Sequence, residues 1–145
     1  MSISLARNAA DAPVAPLQLP TAAVAAACRL TSRLFAHAPE SDYDGGFPAA
    51  EFGWLREAGL LTAPLPPAFG GAGLNQPAHL AEQLQVLRHI GAGNLAVGRV
   101  YEGHLNALQL IERFGSAEQL RRYATDAQGG HLFGVWNTEA GDGVQ

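Results

Sequence analysis

Apolar positions recur at three- and four-residue steps along most of this chain, a spacing that predicts a succession of helices. The first opens at Thr21, an N-cap following Pro20, and sets Ala23, Ala27, Leu30, Leu34 and Ala38 on one side, with Arg29, Ser32 and Arg33 away from it. Pro39 is expected to stop it, and Glu40 to Gly46, carrying Asp42 and Asp44, to form a polar link. The second helix covers Phe47 to Gly59. Pro48 suits its first turn, Gly59 the left-handed position past its end, and Phe52, Leu55, Leu60 and Leu61 its buried side. Thr62 to Leu74 reads as a proline arm running into a glycine turn. A third helix opens near Asn75 with Pro77 in its first turn. Leu80, Leu84 and Leu87 mark its face, Val86 and Ile90 lie beside it, and Gly91-Ala92-Gly93 ends it.

The fourth helix, Asn94 to Phe114, carries the broadest apolar face: Val97, Tyr101, His104, Leu105, Leu108, Ile111 and Phe114. Gly98 and Gly103 weaken it by about 1 kcal/mol each unless something must approach its backbone. Tyr101-Glu102-Gly103-His104 gathers polar tips there. Two readings stand: core side chains with satisfied ends, or a helix face lining a ligand pocket. Ser116-Ala117-Glu118-Gln119 is a capping-box pattern that opens a fifth helix, with Leu120, Tyr123 and Ala124 inward and Arg121 and Arg122 outward. After Gln128-Gly129-Gly130, the run Leu132 to Trp136 reads as a strand. A lone strand leaves a row of backbone groups unpaired, so its partners are expected elsewhere. The chain thus divides into an arm over 1–19, expected to be mobile, a helical domain over 20–129, and the first strand and loop of a β-domain over 130–145.

Composition narrows the classes. A 48% apolar share over 145 residues suits a packed core rather than disorder. A net charge of −4 argues against a nucleic-acid partner. All nine basic residues are Arg, which we read as genome composition bias. The single cysteine, Cys28, excludes an internal disulfide and is expected to be a buried small hydrophobe among alanines. Asp42 and Asp44 lack the ligand order of a calcium loop, and His79 and His89 stand ten apart on one helix, so no metal site is assigned. The glycines at 70, 71 and 73 follow prolines, and no Lys-Ser/Thr pair follows them, so they are read as a turn and not as a phosphate cradle. No membrane span and no secretory signal stand out, and a cytoplasmic setting is expected.

Four segments in this order resemble the N-terminal portion of the acyl-CoA dehydrogenase family of flavoenzymes. They are Phe47-Pro48 with Trp54-Leu55-Arg56-Glu57-Ala58-Gly59-Leu60-Leu61, Pro67 to Leu74, Phe114 to Tyr123, and Phe133-Gly134-Val135-Trp136-Asn137-Thr138-Glu139. The resemblance implies a mainly α fold: a bundle of about five helices followed by the start of a β-domain. It implies FAD as cofactor, with FMN as the alternative, held with help from a neighbouring subunit, so a homo-oligomer when complete. Trp136, Asn137 and Thr138 match the strand along the flavin ring. Gly141 and Gly143 match the glycines of the family's Thr-Glu-Pro-Gly-Ala-Gly-Ser-Asp loop. Val144 stands where the family has a substrate-contacting serine, and Gln145 where it has aspartate. Tyr101 and Glu102 match the helix face near the acyl end of the substrate pocket.

The resemblance implies α,β-dehydrogenation of an acyl-CoA thioester, a positioned base taking the α-proton while flavin takes the hydride. The resemblance allows an electron-transfer flavoprotein as partner and leaves the electron acceptor open. The family's catalytic glutamate lies in a region these residues do not cover, so no catalytic residue is assigned and the chain by itself is expected to be inactive. The Val144 and Gln145 departures keep a second chemistry open: a flavin-dependent monooxygenase of the same fold, acting on a substrate that is not a thioester. A stand-alone helical binding module is the third reading.

Overall fold

A computed structural model describes residues 21–135, and five α-helices make up most of them. These are α1 (Ala22–Asp44), α2 (Ala49–Glu57), α3 (Leu80–Gly93), α4 (Leu95–Phe114) and α5 (Ala117–Gln128), with short 3-10 turns at Pro67–Phe69 and Pro77–His79. The arm over 1–19 and the stretch from Trp136 onward lie outside the described residues.

Local signals set most helix ends. Thr21 Oγ1 accepts from the Val24 N–H, Asn94 Oδ1 from the Val97 N–H, and Ser116 with Gln119 closes a complete capping box. Past α2, the Gly59 N–H donates to the Arg56 carbonyl at 2.9 Å and the Leu60 N–H to the Leu55 carbonyl at 2.9 Å. That is the Schellman pattern expected where Gly59 follows the helix, and it buries Leu55 against Leu60.

Pro39 does not end α1. The helix runs on through Asp44 and stops only at Gly45, which takes a left-handed φ of 61°. A proline inside a helix forfeits one N–H, here the donor to the Phe35 carbonyl, on a stretch where Phe35 and Pro39 are exposed to solvent. The turns beyond it are tied sideways to α2, so the expected polar link is instead helix.

α1 packs mainly on α3, and α3 on α4. Ala23, Ala27 and Leu34 are buried as expected, together with Val24 and Ala26. Cys28, however, is exposed. One residue beyond Ala27 it has turned about 100° off the buried face. On α3 the buried positions are Val86, Ile90 and Gly93, whereas Leu80 and Leu84 are exposed at 56% and 57%. The face that meets α1 is also fixed by the Thr31 hydroxyl, which donates to the His89 carbonyl at 3.2 Å.

Gly98 has the reason that the sequence left open. A Cβ there would lie 2.8 Å from Gly91 Cα, so α3 and α4 touch backbone to backbone at that point. Around Gly103 a Cβ would meet nothing within 4 Å. The described part of the expected strand, Leu132 to Val135, forms no ladder, because no second strand is present among the described residues to pair with it.

Candidate functional site

Tyr101 is fully buried, and its hydroxyl donates to the Leu60 carbonyl at 2.8 Å. Burial pushes that phenol well above its ordinary range. Glu102, one residue on, is turned toward solvent. It pairs with Arg99 and accepts from Asn106 Nδ2 at 2.7 Å. The structure therefore places the two matched residues on different sides of α4, Tyr101 as a core residue with a satisfied tip. Trp136, Asn137, Thr138, Gly141, Gly143 and Val144 lie outside the described residues.

His104, one turn beyond Tyr101, is also fully buried. Its Nε2 lies 2.8 Å from the Leu61 carbonyl, and its Nδ1 lies 3.2 Å from the Phe133 N–H. A carbonyl only accepts and an amide N–H only donates, so the ring carries its proton on Nε2 and leaves Nδ1 bare. Burial lowers the pKa of this imidazole, the Leu61 carbonyl opposing part of the shift, and the ring is neutral. Phe133 stacks on it at 5.7 Å between centroids, and Tyr123 of α5 meets Phe133 edge-on at 5.6 Å. Helix α4 thus grips both the segment after α2 and the chain that leaves α5.

Beyond this aromatic stack opens a groove of about 650 Å³. Its walls include Leu110, Ile111 and Phe114 of α4, Tyr123 of α5, and Phe133 and Val135. Leu110 and Phe114 are 45% and 74% exposed, an apolar surface with no side chain of the described residues covering it. The groove can take a flat or extended apolar body; it has few groups to hydrogen-bond one.

A second cluster, which the sequence reading missed, lies at the junction of α1 and α2. Glu51 is 1% exposed. Its Oε1 lies 2.9 Å from His37 Nδ1 and accepts from the Ser41 hydroxyl, while His37 Nε2 lies 3.2 Å from Glu40 Oε2. The hydrogen bond to Glu51 raises the His37 pKa. Burial pushes the Glu51 carboxyl up, but the Ser41 and His37 bonds outweigh it and the net shift is down. The neighbouring carboxylate thus favours the charged form of His37, the opposite of the shift at His104. The i, i+4 spacing of His37 and Ser41 was the available signal, hidden by the expectation that Pro39 ends the helix. Among the described residues no three His, Cys, Asp or Glu side chains stand close enough to hold a metal ion.

The described residues form a five-helix array with an apolar groove open at the end of α4. The sequence profile for the N-terminal domain of acyl-CoA dehydrogenases matches residues 22–131, and the chain belongs to that family. It is similar to dibenzothiophene monooxygenase of Rhodococcus erythropolis, 36% identical over 96 residues, covering 66% of this chain and 22% of that protein. It is also similar to a probable FMNH2-dependent monooxygenase, SfnC, of Pseudomonas putida, 32% identical over 100 residues, covering 69% of this chain and 24% of that one. A dibenzothiophene monooxygenase of Mycolicibacterium goodii matches at 34% over 83 residues, 57% of this chain and 19% of that protein. The chain spans about a fifth to a quarter of the length of these relatives. Acyl-CoA dehydrogenase-like flavoenzyme fold is therefore the level at which the chain is defined. No helix among the described residues is long and apolar enough to cross a membrane.

Proposed function

We propose that this chain is the N-terminal helical part of a reduced-flavin-dependent monooxygenase whose substrate is a flat, apolar, non-thioester compound such as an aromatic thioether. The observation that carries the reading is the apolar groove, lined by Leu110, Ile111, Phe114, Tyr123, Phe133 and Val135. Three of those side chains are aromatic, and aromatic faces favour stacking with a planar ring over an extended acyl chain. The names of the relatives and the Val144 departure from serine point the same way. A bound reduced flavin would supply the electrons by which one atom of O2 enters the substrate and the other leaves as water.

The contribution of this chain's own residues is to bind and to exclude water. The groove walls desolvate the substrate, and His104 holds Phe133 against them. The residues matched to flavin contacts, Trp136 to Thr138 with Gly141 and Gly143, follow directly on Val135. Reduced FMN is the cofactor we assign to this reading. A homo-oligomer and a small-molecule substrate complete it.

The experiment uses the complete polypeptide that carries this domain, supplied with reduced FMN and 18O2. One labelled oxygen in an aromatic thioether, detected by mass spectrometry, is the expected result. The second reading, FAD-dependent dehydrogenation of an acyl-CoA with electron-transfer flavoprotein as acceptor, is favoured by the family's own description. Acyl-CoA-dependent bleaching of a dye under anaerobic conditions, with no label incorporated, would establish that reading instead. The 145-residue chain alone is expected to be helical by circular dichroism and to retain no flavin on gel filtration.

A further inference from the structure

Both ring nitrogens of His37 face a carboxylate. Nδ1 lies 2.9 Å from Glu51 Oε1 of α2, and Nε2 lies 3.2 Å from Glu40 Oε2, three residues further along α1. An ionised carboxylate only accepts, so only the doubly protonated ring donates to both. The Ser41 hydroxyl donates to the same Glu51 oxygen and ties the next turn of α1 to the start of α2. Between these ties stands Pro39, whose missing N–H leaves the Phe35 carbonyl without its helix donor. The last turns of α1, from Pro39 to the left-handed Gly45, therefore rely on sideways bonds more than the turns before them do. A cavity of about 230 Å³, walled in part by His37, Glu40, Ser41, Phe47 and Glu51, opens beside the ring.

The two carboxylates are not equivalent: the Glu51 side chain is 1% exposed and that of Glu40 70%. A ring that gives up one proton keeps the one on Nδ1, because a bare nitrogen there would set lone pair against lone pair at a buried oxygen. The loss falls on Nε2, and Glu40 turns to solvent. The buried Glu51 carboxylate then also lacks the positive charge that balanced it. No other group replaces that charge. On α1, the Arg33 guanidinium lies 3.8 Å over the Trp54 ring and opposes protonation of His37, and on α2 Trp54 meets the imidazole edge-on at 5.3 Å. Helix α3, which also packs on α1, adds no charged group that shifts the ring. The hydrogen bond to Glu51 raises the His37 pKa above 6.5, desolvation opposing it and the charges of Glu51 and Glu40 adding to it.

We propose that the end of α1 beyond Pro39 is a pH-sensitive latch, held on α2 while His37 carries both ring protons and loosened when it loses one. The proline makes this end separable from the rest of the helix, and the charge of the ring decides how firmly it stays docked. The latch is whole in mild acid and weakens as pH rises through a value above 6.5. At the other extreme it holds until Glu51 takes a proton, below 4.5. It stands apart from the groove at the end of α4 and works whatever chemistry the complete protein performs.

Hydrogen exchange read by mass spectrometry, corrected for the intrinsic pH dependence of amide exchange, tests the latch in the complete polypeptide that carries this domain. Between mild acid and mild alkali, protection over residues 40–45 should fall about fivefold, the scale of one charge-assisted bond on a partly exposed ring, while α3 and α4 keep theirs. His37→Gln should abolish the change and leave the segment loose throughout. Pro39→Ala restores the N–H to the Phe35 carbonyl and should cut the change to about twofold or less. Protection that stays flat with pH in the wild type overturns the proposal, and so does a fall shared by α3 and α4. The same fall in His37→Gln assigns it to another group and overturns the proposal as well. Should His37→Gln fail to fold, the wild type and Pro39→Ala decide: an undiminished fall in Pro39→Ala means that the proline does not set this end apart, and there is no latch.

Discussion

His37 and His104 sit in two regions built by the same helical array, and the two regions shift the same side chain in opposite directions. At the α1–α2 junction His37 is half-exposed and lies between two carboxylates, Glu40 and Glu51. Trp54 lies edge-on at 5.3 Å, with the Arg33 guanidinium 3.8 Å over its face. At the α4–α5 end His104 is buried among rings and backbone groups, with no carboxylate raising its pKa. A nearby carboxylate stabilises the imidazolium; a dry pocket with one carbonyl and one amide stabilises the neutral ring. The lesson is that the backbone partner decides the tautomer, while the charge of the surroundings decides the protonation state.

Removing apolar bulk beside each histidine should widen the contrast most. Leu105→Ala, next to His104 and almost fully buried, is expected to cost about 2–5 kcal/mol by urea denaturation. Phe47→Ala, near His37 and 60% exposed despite stacking on Phe52, should cost about 1 kcal/mol or less. Equal costs would mean that the two regions are not dry and wet as described.

Deleting one polar tip comes next. Tyr101→Phe takes the donor from the Leu60 carbonyl and is expected to cost about 1–3 kcal/mol. Glu51→Gln keeps the shape but removes the charge opposite His37. It should lower the melting temperature less, and it should return the His37 pKa, followed by NMR, toward 6.5. A His37 that titrates unchanged in this variant would break the ion-pair account.

The smallest effect is also the one that distinguishes the regions by sign. His37 has a folded-state pKa above 6.5, so the stability it adds is whole below 6.5 and is lost as pH rises through the raised value. His104 has a folded-state pKa below 6.5, so its contribution is whole above 6.5 and is lost as pH falls through the lowered value. Glu51 adds a second acid loss, complete only when pH falls through a value below 4.5. Urea midpoints on both sides of neutrality should therefore show His37→Gln flattening the alkaline limb and His104→Asn flattening the acid limb. The reverse assignment would overturn the pairing of shift directions with regions.

Much of this was legible in the sequence. Thr21, Gly59 and the Ser116–Gln119 box are local devices: partner and target lie within a few residues, so a sequence window contains the whole interaction. Helix existence followed from apolar spacing for the same reason. What the window could not hold was which stripe faces which neighbour. Leu80 and Leu84 looked like core and are exposed, because the side of α3 that packs inward carries Val86 and Ile90 instead. Pro39 looked like a terminator, but the α1 turns after it are secured by Glu51 of another helix. Of the candidate site, the Tyr101 and His104 positions were marked by the pattern, whereas their partners Leu60, Leu61 and Phe133 were not.

The order of helices, their caps and membership of a flavoenzyme family were written in the sequence, since each depends on spacing within a few turns or on short runs of residues in register. Tertiary structure alone decided that Tyr101 and Glu102, adjacent in the chain, face different surroundings, and that two histidines are pushed in opposite directions. Those outcomes depend on desolvation and on partners 14 to 43 residues away, and such distances are closed only when the helices pack.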